Sequence, residues 1–401
     1  FIYTLIFAVL QMSTATSTSA GFGFSTAKST SDAVSEAVAS ATEKLGSGAP
    51  SIAFISSTVT RDVEEVRTEF VKALPNGTPI HGITSSGAVL TCSGRKSSGV
   101  GCLVVKSDDG AFATAYDFED GNKAAASLKE KMPSPQAIFM GATPGAEEGV
   151  IEILSKEFPS VPVFGGTAAD DDLSGAWKVM SSETSSGTGI SLVGIGDSVK
   201  FGASMLGPYI PTNNIVKATK TEGRRVFEID GKPAADWAYE WLGEDIKDQF
   251  NDGGLVLPQT AQSPLGIKQP SGEYVTNHLA AFGGAEKFID FFAPIPEGSE
   301  LVVMDSGDGP STGYGAAMSD AYDSAKAVMG SDPSAGILVF CGGMAIAVGD
   351  NLDTGLTNKD FLSKVEGLPM MGMTCFGEQA CLAEAKTNVQ RNLSVGMVLF
   401  G

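Results

Sequence analysis

One six-residue phrase, P-x-x-G-x-T, occurs three times along the chain: Pro79-Ile80-His81-Gly82-Ile83-Thr84, Pro162-Val163-Phe164-Gly165-Gly166-Thr167 and Pro369-Met370-Met371-Gly372-Met373-Thr374. Each copy closes the same run of patterns. Consecutive apolar residues come first, SIAFIS (51–56), QAIFMG (136–141) and GILVFC (336–341). An amphipathic helix pattern follows each, DVEEVRTEFVKAL, EEGVIEILSKEF and NKDFLSKVEGL. After each phrase stands a glycine-rich closing strand, GVGCLVV, GISLVGIG and LSVGMVLFG. Such repetition constrains the fold more than local propensity does, because each copy must bury its apolar face against its neighbours.

The repeat extends backwards. Helix patterns SDAVSEAVASATEKL, NKAAASLKEKM and AMSDAYDSAKAVM precede the three apolar runs, and strand-like FGF, AFATAYDF and ELVVMDS precede those. The spacing predicts three β-α-β-α-β-β units over 21–107, 111–196 and 299–401. Strands apolar at consecutive positions are covered on both faces, so the expected class is α/β, with mixed β-sheets flanked by outer helices. In the phrase itself, proline sets an extended entry and glycine lets backbones approach where a side chain would not fit. Between the second and third units, 197–298 differs in character: strand-like VKFGASML and IVKATKTEGRRVFEI, an Asp230-Gly231 turn, the helix pattern KPAADWAYEWLG and a polar, proline-rich loop.

Charge narrows the partners. The 401 residues carry 27 basic against 47 acidic side chains, a net −20, which repels phosphate backbones and anionic membrane surfaces. No nucleic acid partner is expected, since Lys220–Arg225 is a short basic stretch followed by Glu228 and Asp230. Five cysteines without a C-x-x-C pair read as free thiols, with Cys102 and Cys341 inside apolar strands as inert core residues. FIYTLIFAVL at the start is too short to span a bilayer, so no membrane span is expected. With STATSTSA after it, residues 1–20 read as a leader or an extension outside the fold. The compartment expected is the cytoplasm or, if the leader is a targeting signal, a plastid.

Several phrases together resemble the FIST family, whose members pair an amino-terminal and a carboxy-terminal domain. They are Phe164-Gly165-Gly166-Thr167-Ala168-Ala169-Asp170, then Phe227 to Ala234 (FEIDGKPA), Gly372 to Glu378 (GMTCFGE), and Asn392-Leu393-Ser394. The resemblance places a FIST N-like domain at 21–220 and a FIST C-like domain at 221–401. It implies a sensory module of signal transduction that binds a small molecule such as an amino acid, with no catalytic activity and no cofactor. The sequence departs from the family pattern at Met344, Ala380 and Arg391, where the family has arginine, glycine and histidine.

The glycine-rich loops after the repeated strands are the expected pocket, with Thr167, Asp170, Cys375, Glu378 and Asn392 as the ligand-binding candidates. Glu378 suits the amine of a ligand or a tight turn held by backbone hydrogen bonds. Cys375 has no basic neighbour in sequence to lower its pKa, so no catalytic residue is assigned. Asp170, Asp171 and Asp172 are adjacent carboxylates, yet consecutive residues point in different directions, so no metal site is assigned and a solvated turn is expected. The loop 305–313 reads as turn chemistry capping a helix, and His81 and His278 as structural histidines. Asn76-Gly77-Thr78 and Asn392-Leu393-Ser394 are formal glycosylation acceptors. A rival reading follows from the repetition: similar surfaces on three units suit self-association, and a structural protein tiling into a sheet or shell around a compartment.

Overall fold

The structure is a computed structural model that describes residues 18–75, 77–270, 272–306, 313–349 and 351–401. The apolar run at the start, Asn76 and most of the 305–313 loop lie outside the described residues. The chain is α/β, with three six-stranded mixed sheets and a fourth sheet of nine strands.

All three units are present. In the first, Ser19–Ser25, Ile52–Ser57, Ile80–Thr84 and Val100–Lys106 form the sheet, and helices Thr30–Leu45 and Val63–Ala73 cover one face. The helices start where the sequence supplies caps: Ser29 accepts from the Asp32 N–H and Asp62 from the Glu65 N–H. The second unit repeats this with strands Phe112–Asp117, Ala137–Ala142, Val163–Thr167 and Ile190–Ile195 and helices Gly121–Lys131 and Glu147–Glu157.

Two boundaries differ from the sequence reading. The first strand begins at Ser19 rather than after residue 20, with Ala20 in the core and Thr18 Oγ1 donating to the Gly401 carbonyl at 2.9 Å. Those two residues belong to the fold because the far end of the chain packs against them. The opening strand of the third unit is Phe201–Leu206, paired with Val395–Phe400, and not ELVVMDS. Glu300–Asp305 instead pairs with Ile210–Glu222 and Leu265–Lys268 in the nine-stranded sheet. Both segments are apolar strands followed by a helix in space or in sequence, so local pattern could not separate them. The third unit is therefore split by an insertion of 207–305 with its own core around Val226, Ile229, Phe282 and Phe291.

After each P-x-x-G-x-T phrase the chain forms a β-hairpin, and each hairpin joins another unit's sheet. Val89–Thr91 with Gly94–Lys96 joins the third sheet, Val179–Ser181 with Ser185–Ser186 the first, and Glu378–Leu382 with Thr387–Arg391 the second. The exchange closes into a ring. The phrase glycine is where visitor and host meet: Gly82 faces Met180, Gly165 faces Gln379 and Gly372 faces Leu90. A Cβ on Gly165 would lie 1.9 Å from the Met140 carbonyl oxygen, and one on Gly372 2.7 Å from Leu90 Cβ. Glycine is required there by contact with the neighbouring strands.

The phrase threonines close the ring at one end. The Thr84 carbonyl accepts from Ala169 N at 3.0 Å, that of Thr167 from Phe376 N at 3.1 Å, and that of Thr374 from Ser86 N at 3.1 Å. Each donor is two residues beyond its own unit's threonine, so the bonds form a pseudo-threefold triangle. Inside, the inner faces of the three sheets share one core, with Phe54, Phe139, Val339 and Phe400 in it, while separate clusters fill the sheet–helix layers.

Candidate functional site

A cleft of about 660 Å³ opens beside this triangle. The loops that follow strand ends in all three units line it, through Ser86 to Ala88, Pro144, Asp170 to Leu173, Thr374 and Phe376, and the insertion closes one side with Arg224, Leu257, His278 and Phe292. The space exists because the third unit departs from the repeat. Where the first two units carry one 11-residue helix after the central strand, the third has three short ones, Gly342–Val348, Asn351–Leu356 and Lys359–Val365. Gly349, with φ of 54°, ends the first of them.

The lining is largely apolar and aromatic. Trp177 and Phe376 meet edge to face at 6.1 Å, and Phe292 lies against His278 at 5.5 Å between ring centroids. Both arginines of the lining are ion-paired. Arg224 binds Glu148 at 2.7 Å and Glu147 at 3.1 Å, bridging the insertion to the second unit. Arg95 pairs with Asp353 at 3.3 Å. Burial pushes the Glu147 carboxyl above the usual range, against the pull of Arg224.

The five residues singled out from the sequence fall in two places. Asp170 and Asn392 line the cleft, whereas Thr167, Cys375 and Glu378 lie outside its lining. Asp170 is fully buried and accepts from the backbone N–H groups of Leu173, Gly175 and Ala176 at 2.8–2.9 Å, so both its oxygens hold the loop. Asp171 accepts from Gly87 N and Asp172 from Ser174 N. Among the described residues no group of three or more His, Cys, Asp or Glu side chains is placed to hold a metal ion. The Thr167 hydroxyl donates to Glu147 at 3.1 Å and accepts from Gln379 at 3.0 Å.

Glu378 lies fully buried beneath the loop that carries Asn392. One of its oxygens accepts from Ser394 N at 3.2 Å and Ser394 Oγ at 2.7 Å; the other, Oε1, is a buried oxygen with no hydrogen-bond partner among the described residues. Burial raises its carboxyl to about 8, against the pull of the Ser394 hydrogen bond and, more weakly, of the charge of Arg391, its register neighbour in the hairpin. Leu393 has φ of 53°, a left-handed conformation that costs a non-glycine residue about 1 kcal/mol or more. It is held by Leu393 N to Cys341 Sγ at 3.1 Å and by Asn392 N to the Thr276 carbonyl at 3.0 Å. Burial pushes the thiols of Cys341 and Cys375 well above the ordinary range, and that of Cys102 up to about 12. His81 lies in the shared core, bonded to Ser191 Oγ at 2.9 Å, and burial lowers its pKa to about 3.

The sequence reading missed Trp177, Phe376, Phe292, Arg224 and the Gly342-Gly343 pair as parts of one site. Arg224 stood in the basic stretch weighed against nucleic acid, and His278 was read as structural. One signal was available: the extra length between Cys341 and Pro369, compared with the same step in the other units.

Family models match most of the chain. The FIST N domain matches residues 51–232 and the FIST C domain 234–381. The chain belongs to the FIST family. FIST domains are generally sensory, ligand-binding modules of signalling proteins. The boundary between the two matches falls inside the insertion, so the FIST N match holds the first unit from its second strand onward, the second unit and the opening strand of the third. The uncharacterized protein MJ1623 of Methanocaldococcus jannaschii is 31% identical over 175 residues, covering 42% of this chain and 33% of that protein. The chain thus spans about a third of that relative's length. Among the described residues no helix is long and apolar enough to cross a membrane.

Proposed function

We propose that this FIST protein is a non-catalytic sensory module that binds a small molecule, such as an amino acid, in the cleft beside the threonine triangle. The observation that carries the reading is the cleft itself. Its 660 Å³ falls in the range of metabolite sites, and its lining pairs an apolar and aromatic body with a few polar groups. The non-catalytic part is supported by the state of the reactive groups. Cys341 and Cys375 are held as thiols by burial, Glu378 is sealed beneath the loop, and Asp170 is saturated by backbone donors. A ligand that touches the insertion and all three units at once ties their relative positions to occupancy, which is what a sensor needs.

A thermal-shift screen of the full chain against the amino acids and common metabolites tests this. Stabilisation by at least one compound is expected, and its loss on Trp177→Ala locates the compound in the cleft; a screen with no stabilising compound rejects the reading. Light scattering on the same sample tests the rival. A monomer or small oligomer agrees with a sensor, whereas sheets or very large particles favour a self-assembling structural protein.

A further inference from the structure

Within the cleft, two nearly buried side chains keep a polar atom unused. His278 and Asn392 are 3% and 2% exposed, and both line the cleft. His278 Nε2 lies 3.2 Å from the Leu257 carbonyl oxygen. A carbonyl only accepts, so Nε2 carries the proton. Burial lowers the ring's pKa to about 4, so the imidazole is neutral at pH 7 and Nδ1 is a bare acceptor. On Asn392, Oδ1 accepts from His278 N at 3.4 Å, which leaves the Nδ2 amide hydrogens as donors. Neither His278 Nδ1 nor Asn392 Nδ2 has a hydrogen-bond partner among the described residues, and neither is one of the wholly enclosed orphan atoms, so their remaining access is to the cleft.

Gly343 packs closely against His278 and Leu393 at this end of the cleft. A Cβ on Gly343 would lie 2.8 Å from His278 Nδ1 and 2.7 Å from Leu393 Cδ2. The left-handed turn at Leu393, held by Cys341 Sγ and by Glu378 through Ser394, fixes where Asn392 points. This end of the cleft thus offers one acceptor and one donor, with the nearby aromatic faces of Phe292 and Phe376. Neither His278 nor Asn392 carries a charge to receive a carboxylate or an ammonium.

We infer that this end of the cleft takes an uncharged carboxamide-type group, its N–H donated to His278 Nδ1 and its carbonyl oxygen accepting from Asn392 Nδ2, with the ligand's apolar body against the aromatic wall. The inference rests on the ligand-binding reading and specifies its chemistry. A charged end of the same ligand would remain toward Arg224 and Asp171. A site built to hydrogen-bond both atoms of an amide discriminates against an ion of the same shape, because the ion must be desolvated without a countercharge and leaves one partner unmet.

The test uses three probes of one size, benzamide, benzoate and benzylamine, titrated calorimetrically into the full chain at pH 7. Benzamide is expected to bind at least about tenfold more tightly than either ion, a difference of about 1.4 kcal/mol. Asn392→Leu is expected to abolish that binding, with circular dichroism confirming the fold. The protein has two histidines, so the imidazole nitrogen spectrum of the unmodified chain gives a readout independent of any variant. The His278 Nδ1 resonance should move on adding benzamide while that of His81 stays. Equal or tighter binding of benzoate or benzylamine, binding of none of the three, or an unmoved Nδ1 resonance overturns the inference. The ligand-binding reading itself falls only if the metabolite screen is blank as well.

Discussion

The three exchanged hairpins occupy equivalent positions and differ in what they put there. At the step facing the residue after the phrase glycine, the first hairpin places Val89, the second Val179 and the third Glu378. At the next step stand Leu90, Met180 and Gln379. All six are buried, yet the third pair is polar. Two copies show that the architecture is satisfied by apolar side chains at these positions, so the polar pair is not demanded by the fold. Glu378 supports the strained turn that aims Asn392 into the cleft, and Gln379 holds Thr167, which in turn holds the Glu147–Arg224 bridge to the insertion. The departure from the repeat coincides with the cleft, which is how a functional site on a repetitive scaffold is recognised.

Variants can break or sharpen this comparison. The largest effect is expected for Gly165→Val, because a Cβ 1.9 Å from a backbone oxygen cannot be accommodated where host and visitor strands meet; no soluble, cooperatively melting protein should be recovered. Next comes Val89→Glu. The first hairpin has no counterpart of Ser394 to receive a carboxylate, so denaturant unfolding should show a loss on the order of 3–5 kcal/mol at neutral pH. A small loss there would mean that the third hairpin's carboxylate is ordinary packing.

Glu378→Gln is expected to act through pH. Burial raises the Glu378 carboxyl in the folded protein from an ordinary 4.5 to about 8, so the folded state binds the proton more tightly than the unfolded chain. Its contribution is present below about pH 4.5 and is lost as pH rises to about 8. Relative to the unmodified protein, the Gln variant should gain stability across that window, read as a difference in unfolding midpoint between pH 5 and 8.5. A parallel pH dependence of the two proteins sinks the argument. The smallest effect is expected at Lys129→Ala, since Lys129–Glu157 is an exposed pair at 2.9 Å, and its melting temperature should match the parent's.

Much of this scaffold was legible in the sequence. The apolar runs, the paired helices and the closing strands form where their periodicity places them, and the phrase glycines serve the close approach that their position implied. The cleft was less legible. Of the five candidate residues, Asp170 and Asn392 reach its lining, and the Asp170–Asp172 run holds backbone turns. The aromatic wall was missed because Trp177, Phe292 and Phe376 lie in different units and in the insertion. No periodicity links them.

What the sequence by itself determined is local: which segments are strand or helix, that the unit recurs three times, and where glycine is obligatory. Those follow from side-chain period and backbone sterics, which act within a few residues. Only the tertiary structure decided which sheet each hairpin joins, that Phe201–Leu206 rather than Glu300–Asp305 opens the third unit, and which nitrogen of His278 is bare. Such outcomes depend on pairing between residues far apart in the chain, where any apolar strand can in principle pair with any other and the shared core selects the arrangement.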